Sequence, residues 1–124
     1  MSLREKTKNK KNWAVVGATN KKTRFGYKIY KKLIDNDYNV YAVNPNLEKI
    51  DNDKCYSKLE EIEGEIDVVD FVVNPKIGIH IIETVNELGI EYIWLQPGTR
   101  SRAIRKYAEE NDIKYVEGCI YAEL

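Results

Sequence analysis

A short apolar run, Trp13-Ala14-Val15-Val16, ends abruptly at Gly17. A polar, basic loop follows from Ala18 to Arg24, and Gly26 then opens a segment with Ile29, Tyr30, Leu33 and Ile34 on one helical face. Strand, loop and helix in that order restrict this chain more than any other feature. A run without polar alternation needs cover on both faces, which a strand inside a parallel sheet has. In such a sheet the first turn lies at the carboxyl end of the strand, where unpaired N–H groups at the helix start and the helix dipole favour an anion.

The same alternation continues downstream. A helix from about Gly26 to Asn36 is followed by a second apolar run, Tyr38 to Val43, which Asn44-Pro45-Asn46 closes because proline cannot continue a central strand. Ile50 is the one clear apolar anchor of a charged connection, and Cys55-Tyr56 reads as a short extended piece. Ser57 with Glu60 has the spacing of a capping box, predicting a short helix through about Ile62. Ile66 to Val73 is rich in β-branched residues and ends at Asn74-Pro75, where the proline suits the first turn of the next helix. That helix carries Ile77, Ile81, Val85 and Leu88 on one face and stops at Gly89. Tyr92 to Leu95 is a fourth strand, broken by Gln96-Pro97-Gly98. Ala103, Ile104, Tyr107 and Ala108 mark the inner face of the last long helix, before a fifth strand from Ile113 to Val116.

Strands and helices in alternation imply parallel strands with right-handed crossovers: a three-layer α/β fold, its five-stranded parallel sheet in the order 3-2-1-4-5 with helices on both faces. The switch point then falls between the first and fourth strands, and a ligand lies over the turns after Val16, Val43, Val73 and Leu95.

The 124 residues suffice for one such domain, expected over residues 13–124. Arg4, Lys6, Lys8, Lys10 and Lys11 against Glu5 give the first twelve residues a charge of +4 in a chain with no net charge, and they are expected to form a flexible basic tail. No basic stripe follows a folded element, so nucleic acid is not the expected partner. No run approaches the ~18 apolar residues of a membrane span or forms the apolar core of a signal peptide, which predicts a cytoplasmic protein. Cys55 and Cys119 lie far apart with a single histidine, His80, in the chain, so both are read as free thiols and no metal site is expected.

The first turn departs from the dinucleotide fingerprint. Thr19 stands where GxGxxG needs its second glycine, and the loop supplies Lys21, Lys22 and Arg24 before Gly26. At the end of the second strand, where an NAD-binding chain usually has Asp or Glu for the ribose diol, this one has Asn44-Pro45 followed by Lys49. A phosphorylated ribose is better tolerated beside a neutral turn than beside a carboxylate.

These residues carry a resemblance. VVGAT with Arg24 in the first turn, Val43-Asn44-Pro45, the run from Asp67 to Pro75, WLQPG from Trp94 to Gly98 and Cys119 near the end resemble the small stand-alone coenzyme A-binding proteins. That family is related to the nucleotide-binding domain of the succinyl-CoA ligase α subunit. The resemblance covers about residues 12 to 124, and WLQPG is its most specific part. It implies a Rossmann-like fold that binds CoA along the strand ends. Carried over by position, Gly17, Ala18, Thr19 and Arg24 face the pyrophosphate, Asn44 and Pro45 flank the ribose, Val73, Asn74 and Pro75 border the adenine and ribose, and Gln96 lies near the pantetheine exit. Many relatives have Ser at Thr19, a loop proline and Ser at Gly26; this loop lacks the proline.

Lys21, Lys22 and Lys49 are read as surface charge, Trp13 and Trp94 as core aromatics, and His80 as solvent-facing. Cys119 is read as a structural thiol, with a mixed disulfide to CoA as the alternative. Asp67 and Asp70 point to opposite pleat faces and do not form a catalytic pair. No catalytic residue is named. The leading expectation is non-catalytic binding of coenzyme A or an acyl-CoA, alone, as a homodimer or with a partner enzyme. An NAD(P)-binding redox enzyme or sensor and an interaction domain with a decayed nucleotide site are the alternatives.

Overall fold

The computed structural model describes residues 1–124. Its centre is β1 (Asn12–Val16), in which Trp13 to Val16 are all buried. It pairs in parallel with β2 (Asn39–Val43) on one side and β5 (Val68–Phe71) on the other. Trp13 and Val15 face a layer with Ile29, Tyr30 and Leu33 of α2 (Phe25–Asp35), while Ala14 and Val16 face Ile82 and Val85 of α3 (Pro75–Glu87). The unalternating run of β1 is thus explained by helices on both faces.

The expectation of five strands in the order 3-2-1-4-5 is corrected. The sheet has seven strands, in the order β3-β4-β2-β1-β5-β6-β7, where β3 is Lys49–Ile50, β4 Asp53–Tyr56, β6 Tyr92–Leu95 and β7 Lys114–Glu117. Only β3 and β4 are antiparallel. The third parallel strand is therefore the short Asp53–Tyr56 segment, and the Val68 run, taken for third, is fourth. The reason is burial. All four residues of Val68–Phe71 are buried and need neighbours on both edges, whereas Asp53 and Lys54 are exposed and tolerate a position near the sheet edge. The switch point consequently lies between β1 and β5.

Three further differences concern helices. Within the segment expected to be a structureless tail, Leu3–Lys8 form α1, capped by the Ser2 hydroxyl, which accepts from Glu5 N–H at 3.1 Å. Arg4 lies over the Trp94 ring, 5.5 Å from its centroid, donates to the Glu117 carbonyl at 2.8 Å and pairs with Glu123; Lys8 reaches Glu123 at 3.3 Å. Two of the segment's basic side chains, Arg4 and Lys8, thus share one acidic partner far away in sequence, Glu123. The expected face of α3 is rotated. Gly78, Ile82 and Val85 point inward, while Ile77 and Leu88 are 48% and 44% exposed. Gly78 faces the core because a Cβ there would lie 3.0 Å from Ile104 of α4 (Arg102–Glu110) and 3.4 Å from Phe71. Ser57 is held by Glu61, not Glu60: its N–H and hydroxyl both donate to Glu61 Oε1, at 2.9 and 2.7 Å, beside a single 3₁₀ turn over Leu59–Glu61. The chain closes with the short α5, Ile120–Glu123. No helix is long and apolar enough to cross a membrane.

Candidate functional site

The carboxyl ends of β1, β2, β5 and β6 surround a trough that begins at Gly17. Its φ is +104°, and a Cβ added there would collide with the Val72 carbonyl group, its carbon only 2.8 Å away. Gly17 N–H donates to the Val43 carbonyl at 3.0 Å, so the loop leaves the sheet pressed between the ends of β2 and β5. A Cβ on Gly26 would in turn collide with the Gly17 carbonyl oxygen. Two glycines nine residues apart therefore meet in space and provide the close backbone approach that the shorter fingerprint achieves with more closely spaced ones.

Among the helices longer than the four-residue α5, one start has no side-chain cap. Ser2, Asn74 and Ser101 cap α1, α3 and α4, whereas no side chain caps α2, whose N-cap residue is Arg24. Its first-turn N–H groups and the positive end of its dipole face the loop. The loop is braced on its far side. Asn44 Nδ2 donates to the Ala18 carbonyl at 2.8 Å while its Oδ1 accepts from Asn46 N–H at 2.8 Å, and Asn20 bonds Lys49 and Asp51 of the β3–β4 hairpin. The same hairpin holds α2 through Tyr27 to Asp51 at 3.0 Å and Tyr30 to Asp53 at 3.1 Å. Burial, aided by that bond to Asp53, raises the Tyr30 hydroxyl far above its ordinary pKa.

Three adjoining cavities make up the trough. The middle one, 360 Å³, is lined by Gly17, Thr19, Lys21, Arg24, Phe25 and Gly26, with Asn44 and Val72 at its margins. Neither Lys21 nor Arg24 pairs with a carboxylate. Gly17 and Asn44 also border a 300 Å³ cavity whose apolar walls are Val43, Pro45, Leu59, Val73, Ile77 and Ile81. Phe25 and Val72 also border a 160 Å³ cavity completed by Ile29, Gln96, Pro97 and Cys119.

Of the residues expected at the site, Gly17, Thr19, Arg24, Asn44, Pro45, Val73 and Gln96 line this trough. Ala18 is buried and presents only its carbonyl, to Asn44. Asn74 is occupied in capping α3, accepting from Lys76 and Ile77 N–H at 3.0 and 3.2 Å, and Pro75 is the first residue of that helix. Neither borders the cavities. Lys21, read as surface charge, lines the middle cavity. Phe25, Leu59, Ile77 and Ile81 were not expected there; the large aromatic side chain directly before Gly26 was a usable signal for Phe25. His80 lies exposed on α3 beside Glu83, away from the trough. Cys55 and Cys119 are free, and burial pushes the Cys55 thiol up.

Beneath the third cavity lies a buried polar chain. Gln96, 3% exposed, donates from Nε2 to Asp70 Oδ1 at 2.7 Å, and its Oε1 accepts from Ile120 N–H at 3.2 Å. Asp70 Oδ2 has no partner. Burial pushes the Asp70 carboxyl up to about 7, against the opposite pull of the Gln96 hydrogen bond. Asp67 accepts from the backbone and side chain of Asn12 at the other end of the strand, so the two carboxylates do not share a site.

A model of the CoA binding domain matches residues 11–124 of this chain. The chain belongs to the CoA-binding domain family. Among its relatives, an ADP-forming acetate–CoA ligase of Methanocaldococcus jannaschii is 28% identical over 106 residues, 86% of this chain but 15% of the ligase. The uncharacterized protein YneT of Bacillus subtilis is 26% identical over 119 residues, covering 95% of this chain and 88% of YneT. Among solved structures, a conserved hypothetical protein of Pyrococcus furiosus has a TM-score of 0.86 and 34% identity, over 92% of this chain and 99% of that one.

Proposed function

We propose that the protein binds coenzyme A or an acyl-CoA without itself carrying out a reaction, the pyrophosphate lying at the uncapped start of α2. The observation that carries this reading is the pairing of that open helix end with unpaired Lys21 and Arg24, at the middle of a trough that continues into an apolar cavity on either side. An anion with apolar groups at both ends suits such a site, and family membership supports the same ligand class. The 300 Å³ cavity takes the adenine between Val43, Pro45 and Leu59 on one side and Val73, Ile77 and Ile81 on the other. Asn44 sets the loop's shape through Ala18, while its neutral side chain leaves room for a phosphorylated ribose. Asn74 and Pro75 act indirectly, by starting α3 where Ile77 reaches that cavity.

Thermal melts of nucleotide-stripped protein with CoA, dephospho-CoA, NAD and NADP, each over a concentration series, test this. A ligand at about 100 times its Kd stabilises the native state by ~2.7 kcal/mol, a shift of several degrees. CoA should shift the midpoint most and dephospho-CoA less. A larger shift with NAD or NADP would replace this reading by a redox one, and no shift with any of the four would leave an interaction domain.

A further inference from the structure

The 160 Å³ cavity serves neither the adenine nor the pyrophosphate. We propose that it seats the sulfur end of the pantetheine arm, as a free thiol or as a thioester of a short, uncharged acyl group, and that it rejects long or carboxylate-bearing acyl groups. This rests on the CoA reading above.

Continuity is the first ground. Phe25 and Val72 border both this cavity and the one at the phosphate loop, so an arm leaving a pyrophosphate there enters it directly. Size is the second. The volume equals roughly five water molecules at ~30 Å³ each, which accommodates a sulfur with a few carbon atoms and no long chain. The walls set a limit to deepening. Gln96 is held at both polar ends, by Asp70 and by Ile120 N–H, and Ile29 is part of the core. Phe25 is different: 57% exposed at the first position of α2, it contributes little to the core and stands edge-on to the half-exposed Tyr121 at 6.2 Å. A large aromatic side chain left in water at the junction of two cavities serves as a side wall that an apolar ligand group would cover.

Charge is the third ground. Gln96 gives one Nε2 N–H to Asp70 and takes Ile120 N–H on its Oε1, which leaves one amide N–H and the weak Cys119 thiol as donors, while Phe25, Ile29, Val72 and Pro97 offer a carboxylate none and no cation lines the cavity. Behind Gln96 stands the buried Asp70 carboxyl, which fixes the orientation of the amide and places no cation at that wall. An acyl group with a terminal carboxylate would lose water there without a cationic partner.

Calorimetric titration with adenosine 3′-phosphate 5′-diphosphate, CoA, butyryl-CoA, succinyl-CoA and palmitoyl-CoA, the last below its micelle concentration, separates the two readings. The nucleotide without the arm should bind, and CoA and butyryl-CoA should bind about tenfold or more tightly than it, as expected for burying even two methylene equivalents. Succinyl-CoA and palmitoyl-CoA should lose that gain. Cys119→Phe, which fills the cavity, should keep the nucleotide affinity and bring CoA down to it. Phe25→Ala, at an exposed position, should narrow the gap between butyryl-CoA and palmitoyl-CoA. Equal binding of nucleotide and CoA by the wild type, equal binding of butyryl-, succinyl- and palmitoyl-CoA, or an undiminished CoA advantage in Cys119→Phe would overturn the inference while leaving the nucleotide site standing. No binding of the nucleotide or of CoA would remove the CoA reading and this inference with it.

Discussion

Asp70→Asn should flatten the dependence of stability on pH. The Asp70 carboxyl moves from an ordinary 3.8 to about 7 because it is wholly buried with one oxygen unpartnered. Between those values the native state holds a proton that the unfolded chain has released, so the group favours folding fully below about pH 4 and loses that contribution as pH rises to about 7. About three units at ~1.36 kcal/mol each give a total near 4 kcal/mol, of which roughly 2–3 kcal/mol falls between pH 5 and pH 8. For a chain of this length that is a relative change in Tm of about 10 °C. Asparagine keeps an oxygen for Gln96 Nε2 and does not titrate, at the cost of an amide NH2 whose two N–H groups have no partner, about 1–3 kcal/mol or more at every pH. Urea and thermal unfolding of both proteins at half-unit steps from pH 5 to 8 would show the wild type losing stability relative to the variant. Parallel curves would refute the reasoning, since they would mean that Asp70 is ionised throughout or reached by water.

Other consequences follow from the loop and from α1. Arg24→Ala should weaken CoA binding by about 1.5–3 kcal/mol, measured by calorimetry, with an unchanged melting point in the absence of ligand because Arg24 bonds no protein group through its side chain. An unchanged affinity would take arginine out of the site. Gly17→Ala should destabilise the fold itself by at least 1–3 kcal/mol in urea titration, because the left-handed φ and the Val72 carbonyl both oppose a Cβ; a neutral result would show that the loop relaxes freely. Arg4→Ala should cost about 1 kcal/mol and speed amide exchange in residues 3–8, since it removes the stack on Trp94 and the bond to Glu117; exchange at the wild-type rate would mean that α1 is held otherwise.

The residues of β1, its loop and α2 were sufficient to identify a parallel α/β sheet whose first strand turns at a glycine into a helix, because both signals are local: an unalternating apolar run and a 3.6-residue stripe that begins behind a glycine. Asn44-Pro45 closes β2 for an equally local reason, the missing N–H of proline, whereas β5, expected to run to Val73, stops at Phe71 before Asn74-Pro75 is reached. The order of strands was decided elsewhere. Asp53–Tyr56 is held beside β2 by backbone hydrogen bonds, which any residue can make, so its charged side chains carried no sign of its place in the sheet. Docking of α1 depends on Glu117 and Glu123, more than a hundred residues away, even though Ser2 and Glu5 already had capping-box spacing. The rotation of α3 required Gly78 to be counted as an inward residue, and a residue without a side chain leaves no mark in an apolar stripe. That rotation is what frees Ile77 for the cavity wall. Asp70 has a place in its strand that is legible in the sequence, but its unpartnered burial depends on Gln96, which bonds it from the next strand's end and is itself held by Ile120 N–H from the end of the chain. Local pattern can therefore specify an element and its ends, whereas neighbours, rotation and the cost of burying a particular charge are properties of contacts between segments that sequence separates.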